Sequence, residues 1–121
     1  MATVVVISDD DILRRSLRRF AGARGHDVVE HEAPGLRPPG FFGGSSDVAF
    51  VDLSGAGSDW RAVMVTVTLR VPPVRITVID EADGPEGLDR LAQAMAFGAE
   101  EFMRKPVTRL EIAGVLDRLG L

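Results

Sequence analysis

Three strand-like segments in this sequence end in residues that could work on a phosphoryl group. Residues 3–7 (Thr-Val-Val-Val-Ile) run into Ser8, Asp9 and Asp10, residues 47–51 run into Asp52, and residues 101–104 run into Lys105-Pro106. Carboxylates from neighbouring strands repel one another and raise each other's pKa. A hard divalent cation relieves that repulsion; Mg²⁺ takes one or two carboxylates and completes its shell with water and phosphate oxygens. An ammonium group nearby contacts a phosphoryl oxygen as a point charge. The set suits a carboxylate that receives a phosphoryl group, covalent chemistry with Asp as nucleophile. Lys105 draws notice for a second reason: the 14 basic residues are 13 arginines and this one lysine. Each residue also has a plain structural role. Asp9, Asp10 and Asp11 suit the start of a helix and its dipole, and Asp52 suits a turn. Their joint occurrence at strand ends is what points to a site.

The elements that must position these residues alternate. Residues 3–7 are a β-branched run suited to a strand buried on both faces of a parallel sheet. A helix over about 11–24 places Leu13, Leu17, Phe20 and Ala21 on one face and Arg14, Arg15, Arg18 and Arg19 largely on the others. Asp27 to about Glu32 reads as a short strand. Residues 34–57 are rich in Pro and Gly, so a second helix there is short or broken, with Phe41-Phe42 pinning the segment to the core. Asp47–Val51 is the next strand. Trp60 opens a helix capped by Ser58 or Asp59, although Val63, Val65, Val67 and the threonines favour a strand locally. The strand at Val74–Ile79 decides the matter, since two strands so close would leave no crossover. Asp80 to Gly87 reads as a polar loop. Leu88, Leu91, Ala92, Met95 and Ala96 mark an amphipathic helix ending at Gly98, and Glu101–Arg104 a last strand. Thr108 and Glu111 fit a capping box for a final helix with Ile112, Ala113, Leu116 and Leu119 inward. The order βαβαβαβαβα predicts an α/β fold, a parallel sheet with helices on both faces.

Composition narrows the classes. The chain has 121 residues, 45% hydrophobic, which suits one domain over 1–121 with a buried core. The net charge of -4 argues against a nucleic-acid or membrane-surface binder. There is no cysteine, which excludes disulfides, thiol nucleophiles and cysteine-based metal centres. No apolar run reaches a membrane span, and the first residues lack a basic leader, so a cytoplasmic protein is expected. His26 and His31 read as surface or strand-end residues, not ligands.

Over essentially its whole length the chain resembles the receiver domains of bacterial two-component response regulators. The carrying motifs are Val4–Asp10, Asp47–Leu53 and Gly98–Pro106, the last being the most specific. The resemblance implies a flavodoxin-like, doubly wound (βα)5 fold with a five-stranded parallel sheet in the order 2-1-3-4-5; the chemotaxis member of this family is a standard example of that order. It implies that Asp52 is the phosphoacceptor and that Lys105 contacts the phosphoryl group. It implies a Mg²⁺ site formed by Asp9, Asp52 and the backbone carbonyl of Ser54, with Asp10 as the alternative acid. It implies a cis bond before Pro106, a switch aromatic at Phe102 and a second switch position at Asp80. A histidine kinase or histidine phosphotransfer protein would be the donor. An output domain or a second copy would meet the fourth helix, fifth strand and fifth helix. Such a domain is a phosphoacceptor that promotes its own phosphorylation and dephosphorylation, not an enzyme.

The departures from that pattern matter. Ser8 stands at the first acidic position. Asp80, or Glu81, takes the place of a Thr or Ser that would donate to a phosphoryl oxygen; Thr77 lies inside its strand. Gly55-Ala56-Gly57 replaces the usual Met-Pro after the acceptor. Two readings therefore remain: a receiver that takes a phosphoryl group on Asp52, and a pseudo-receiver that binds partners without a phosphorylation cycle. A phosphatase of the haloacid dehalogenase type, suggested by Asp9-x-Asp11, needs a longer chain. A flavin carrier needs a Ser/Thr/Gly-rich phosphate loop where Ser8–Asp11 would repel phosphate. The arginines of the first helix read as a solvated face, with Asp11–Arg15 pairing, or as a docking surface.

Overall fold

The computed structural model describes residues 2–31, 48–54, 60–68, 74–81 and 84–121. Five strands alternate with four helices among them: β1 (Thr3–Ile7), α1 (Asp11–Ala23), β2 (Asp27–His31), β3 (Val48–Asp52), α2 (Trp60–Thr68), β4 (Arg75–Asp80), α3 (Gly84–Ala96), β5 (Ala99–Arg104) and α4 (Arg109–Arg118). The strands form one parallel sheet in the order β2-β1-β3-β4-β5. The helix expected between β2 and β3, Phe41-Phe42, and the Ser58 or Asp59 cap lie outside the described residues.

Strand alternation sends successive side chains to opposite faces, and both faces are covered. Val5, Ile7, Ala49, Val51, Ile76 and Val78 pack with Trp60, Val63, Met64 and Val67 of α2 and Ala94 of α3. Val4, Val6, Val48, Phe50, Ile79 and Met103 pack with Leu13, Leu17 and Ala21 of α1 and Ile112, Val115 and Leu116 of α4. Continuous apolar strands are what such a sandwiched sheet requires. β-branched α2 is helical despite its local preference, because Trp60, Val63, Met64 and Val67 share the buried side at helical spacing.

Local rules fix the helix starts. Asp10 caps α1, its Oδ1 accepting from the Ile12 and Leu13 amides at 3.0 and 3.1 Å. Thr108 caps α4, accepting from the Glu111 amide at 3.2 Å. Ala113 is only half-buried, and Val115 takes the inward place instead. α3 differs more from expectation. It begins at Gly84, inside the segment read as a loop, with Pro85 in its first turn, where a missing amide is harmless. Its core side is Gly87 and Ala94, with Leu91 half-buried, whereas Leu88 and Met95 are exposed. Its apolar residues cover two sides of the cylinder, and the smaller ones face the sheet. On α1, Asp11 pairs with Arg14 rather than Arg15, and Glu30 of β2 pairs with Arg18 and Arg14.

Thr77 is fully buried in β4, and its Oγ1 has no hydrogen-bond partner among the described residues. It lies opposite Phe50 in the β3–β4 register. An apolar side chain of the same shape removes the desolvation cost of that hydroxyl. Thr77→Val is therefore expected to leave stability unchanged or raise it by about 1 kcal/mol in urea denaturation. A clear loss of stability would mean that the hydroxyl is satisfied, for instance by a buried water.

Candidate functional site

The parallel strands all end at one edge of the sheet, and the chemistry-bearing residues collect there, as ligand sites do in open α/β sheets. β1 delivers Ser8 and Asp10, β3 delivers Asp52, and the turns after β3 and β5 deliver Ser54 and Lys105. Asp52 is completely buried. Its Oδ2 accepts from Lys105 Nζ at 2.8 Å and from the Ser8 hydroxyl at 2.6 Å. Its Oδ1 accepts from the Ser54 hydroxyl at 2.8 Å. Lys105 Nζ also lies 3.5 Å from Asp10 Oδ2, so two carboxylates share one ammonium.

Ser8 does two jobs at the β1–α1 corner. Its hydroxyl donates to Asp52 and accepts from the Asp10 amide at 3.0 Å. Arg14 of α1 donates to the Ser8 carbonyl, which closes the corner from the helix side. Burial pushes the Lys105 ammonium down, but its hydrogen bond to Asp52 and the attraction of Asp52 and Asp10 outweigh that, holding it above the ordinary lysine value of 10.5. The Lys105–Pro106 peptide bond is cis.

Of the other expected site residues, Asp80 and Phe102 are placed apart from this cluster. Asp9 is exposed at the corner, whereas Asp10 faces Lys105. Asp80 is completely buried but belongs to Arg90 of α3. Arg90 Nε donates to Oδ2 at 2.8 Å and Nη2 to Oδ1 at 3.2 Å, and the Glu81 amide donates to Oδ1 at 2.8 Å. The hydrogen bond to Asp80 chiefly holds the guanidinium above its ordinary value, against the pull of desolvation. Phe102 is half-buried and packs on the α2–α3 side of the sheet, in register with Val78. Neither Arg90 nor the Ser54 hydroxyl as a donor to Asp52 is marked by residue type or spacing. Nothing in one chain's spacing marks which helix arginine will meet a strand-end carboxylate.

A groove of about 530 Å³ opens beside the cluster, lined by Asp10, Ile12, Leu13, Glu81, Lys105 and Pro106, among others. Among the described residues no three acidic or histidine side chains converge on one point, so there is no ready-made cage for a metal. Mg²⁺ asks for less, since one or two carboxylates suffice. Asp52 and Asp10, which already share a cation, meet that requirement.

No family model matches the chain. A cyclic di-GMP phosphodiesterase of Thermotoga maritima is 28% identical over 118 residues, which are 94% of this chain and 31% of that protein. The chain thus spans about a third of that relative's length. The non-phosphorylated HemR receiver domain from Leptospira biflexa superposes with a TM-score of 0.76 at 20% identity, covering 98% of this chain and 94% of that one. A response regulator protein from Burkholderia pseudomallei, with a phosphorylated aspartic acid, calcium ion and citrate, superposes with a TM-score of 0.73 at 18% identity, covering 98% of this chain and 66% of that one. The fold is that of the CheY-like receiver domains of response regulators.

Because the folded chain binds the Lys105 proton more tightly than the unfolded one, this contribution to stability is complete below pH 10.5 and is lost as pH rises through the raised folded value. Lys105→Gln is expected to cost about 1.5–3 kcal/mol at neutral pH, the range for hydrogen bonds to charged groups. The gap between wild type and variant should narrow in alkaline solution. Urea titrations across that range measure it, and a gap that stays constant would show that the ammonium is not what holds Asp52.

Proposed function

We propose that this chain is a receiver module of a two-component relay, with Asp52 as the phosphoacceptor. The observation that carries the reading is the contact of 2.8 Å between Asp52 Oδ2 and Lys105 Nζ at the carboxyl edge of the sheet. The Burkholderia pseudomallei protein with a phosphorylated aspartic acid shares this fold and supports the reading. A histidine kinase or histidine phosphotransfer protein is the proposed donor.

In the transfer, an Asp52 carboxylate oxygen attacks phosphorus. The P–N bond of a protonated phosphohistidine breaks, and its electron pair stays with the imidazole, which departs neutral. Lys105 turns from the carboxylate to an oxygen of the new acyl phosphate, where its charge meets the larger charge. Ser8 and Ser54 hold the carboxylate in place as hydroxyl donors. Asp52 and Asp10, with exposed Asp9 beside them, are the residues that would hold Mg²⁺. When bound, the ion supplies positive charge that offsets the incoming phosphoryl oxygens. The module acts as an acceptor and signal carrier, in the cytoplasm, with its output through α3, β5 and α4 toward an attached domain or a second copy.

One observation favours a second reading, a pseudo-receiver that binds partners without phosphate. Asp52 is fully buried and both its oxygens already have donors. Intact-mass spectrometry after incubation with a small acyl phosphate and Mg²⁺ separates the two. The receiver reading expects a gain of one phosphoryl group, absent in Asp52→Asn and abolished by a chelator. No gain on a folded chain, beside a receiver that does gain mass, rejects that reading in favour of the pseudo-receiver.

A further inference from the structure

The end of β4 holds a second buried carboxylate whose environment differs from that of Asp52. Both oxygens of Asp80 are taken, by the two arms of the Arg90 fork and by the Glu81 amide. Asp80 itself is completely buried, while Arg90 stays partly exposed on α3. The Asp80 carbonyl accepts from the Lys105 amide at 2.9 Å, so the same residue joins the ends of β4 and β5 through its backbone.

The register separates the two carboxylates. Asp52 lies opposite Ile79, so Asp52 and Ile79 share a face, and Asp80 alternates to the other. That other face is the one with Val78, Phe102 and α3. A short hydroxyl at this position can rotate toward or away from a neighbour. A carboxylate held by a fork and an amide has no such freedom, since turning it would leave a buried charge without its cation. Buried ion pairs add little net stability over an apolar pair, but removing one partner is costly.

We propose that the Asp80–Arg90 pair is a permanent latch that sets α3 against the end of β4, so that the exposed side of α3 bearing Leu88, Ala92 and Met95 is presented in one position whatever the charge on Asp52. The latch lies beyond the phosphoacceptor reading and does not require it. Phe102, on the same face, is then a packing residue of a fixed interface rather than a moving part.

Hydrogen exchange by mass spectrometry on the full chain tests this. In Asp80→Asn/Arg90→Gln, which removes both charges together, peptides from α3 are expected to exchange on the order of tenfold faster than in wild type. Peptides from β1, β3 and α4 should keep their protection. Unchanged α3 protection in the folded double variant overturns the proposal. If that variant does not fold, Arg90→Lys, which keeps the charge and loses the fork, is measured in the same way, and unchanged α3 protection there overturns it. A second arm treats wild type with a small acyl phosphate and Mg²⁺. In chains that gain one phosphoryl group, α3 should exchange as in untreated chains, and a change in α3 overturns the latch. Failure to gain mass counts against the acceptor reading alone and leaves the variants to decide.

Discussion

A carboxylate taken fully out of water must be given a cation and donors, and that demand organises the active edge of this molecule. Asp52 meets it with Lys105, Ser8 and Ser54, which come from the ends of β5, β1 and β3. Three strand ends are thereby tied to one point. An isolated buried charge would cost several kcal/mol even after relaxation. The corner after β1 and the turns after β3 and β5 each have to place a donor or a cation within hydrogen-bond reach of that carboxylate. The sheet order makes this possible, because β3 lies between β1 and β4, with β5 one strand further on.

The same demand is met a second time, independently, at Asp80. There the cation comes from a helix and approaches from the opposite face of the sheet. Two buried carboxylates at adjacent strand ends would repel each other if they shared one cation. Separate cations on separate faces divide the edge into two electrostatic compartments. Lys105 and Asp10 belong to the first, and Arg90 belongs to the second. A single-lysine chain can do this only because arginine, with its fork, suits the fully committed site, while the compact ammonium suits the shared one.

Most of the fold was legible because a parallel sheet covered on both faces leaves a strong mark: β1 and β3 carry unbroken apolar runs, and the apolar run of β4 is interrupted only by Thr77. α2 was legible only through topology, since its valines and threonines point locally to a strand. The start and orientation of α3 were not legible. Periodicity identifies an apolar side but not the neighbour that covers it, and here Ala94 faces the sheet while Leu88 faces water. At the site, Asp52 and Lys105 could be named because each closes a strand. Ser8 could be seen as a departure, but its role as donor could not, because a serine's partner is set by tertiary geometry. Arg90 was invisible for the same reason.

A carboxylate in place of Ser8 would set a third negative charge beside Asp52 and Asp10 and raise the demand for a cation. A hydroxyl instead donates to Asp52 and brings no negative charge to the cluster. That arrangement has a consequence for reactivity. Donors accelerate a step only when they bind the transition state better than the ground state. The donors on Asp52 stabilise the free carboxylate and so, in the proposed transfer, would hold back its attack on phosphorus. They help the transfer only to the extent that they follow the charge onto the phosphoryl oxygens. Lys105 can do so, because its long stem leaves the ammonium free to turn. Ser8 is fixed from both sides, donating to Asp52 and accepting from the Asp10 amide, with Arg14 on its carbonyl. In the proposed transfer, the balance between a cation on a long stem and a hydroxyl held from both sides would set how readily this carboxylate acts as a nucleophile.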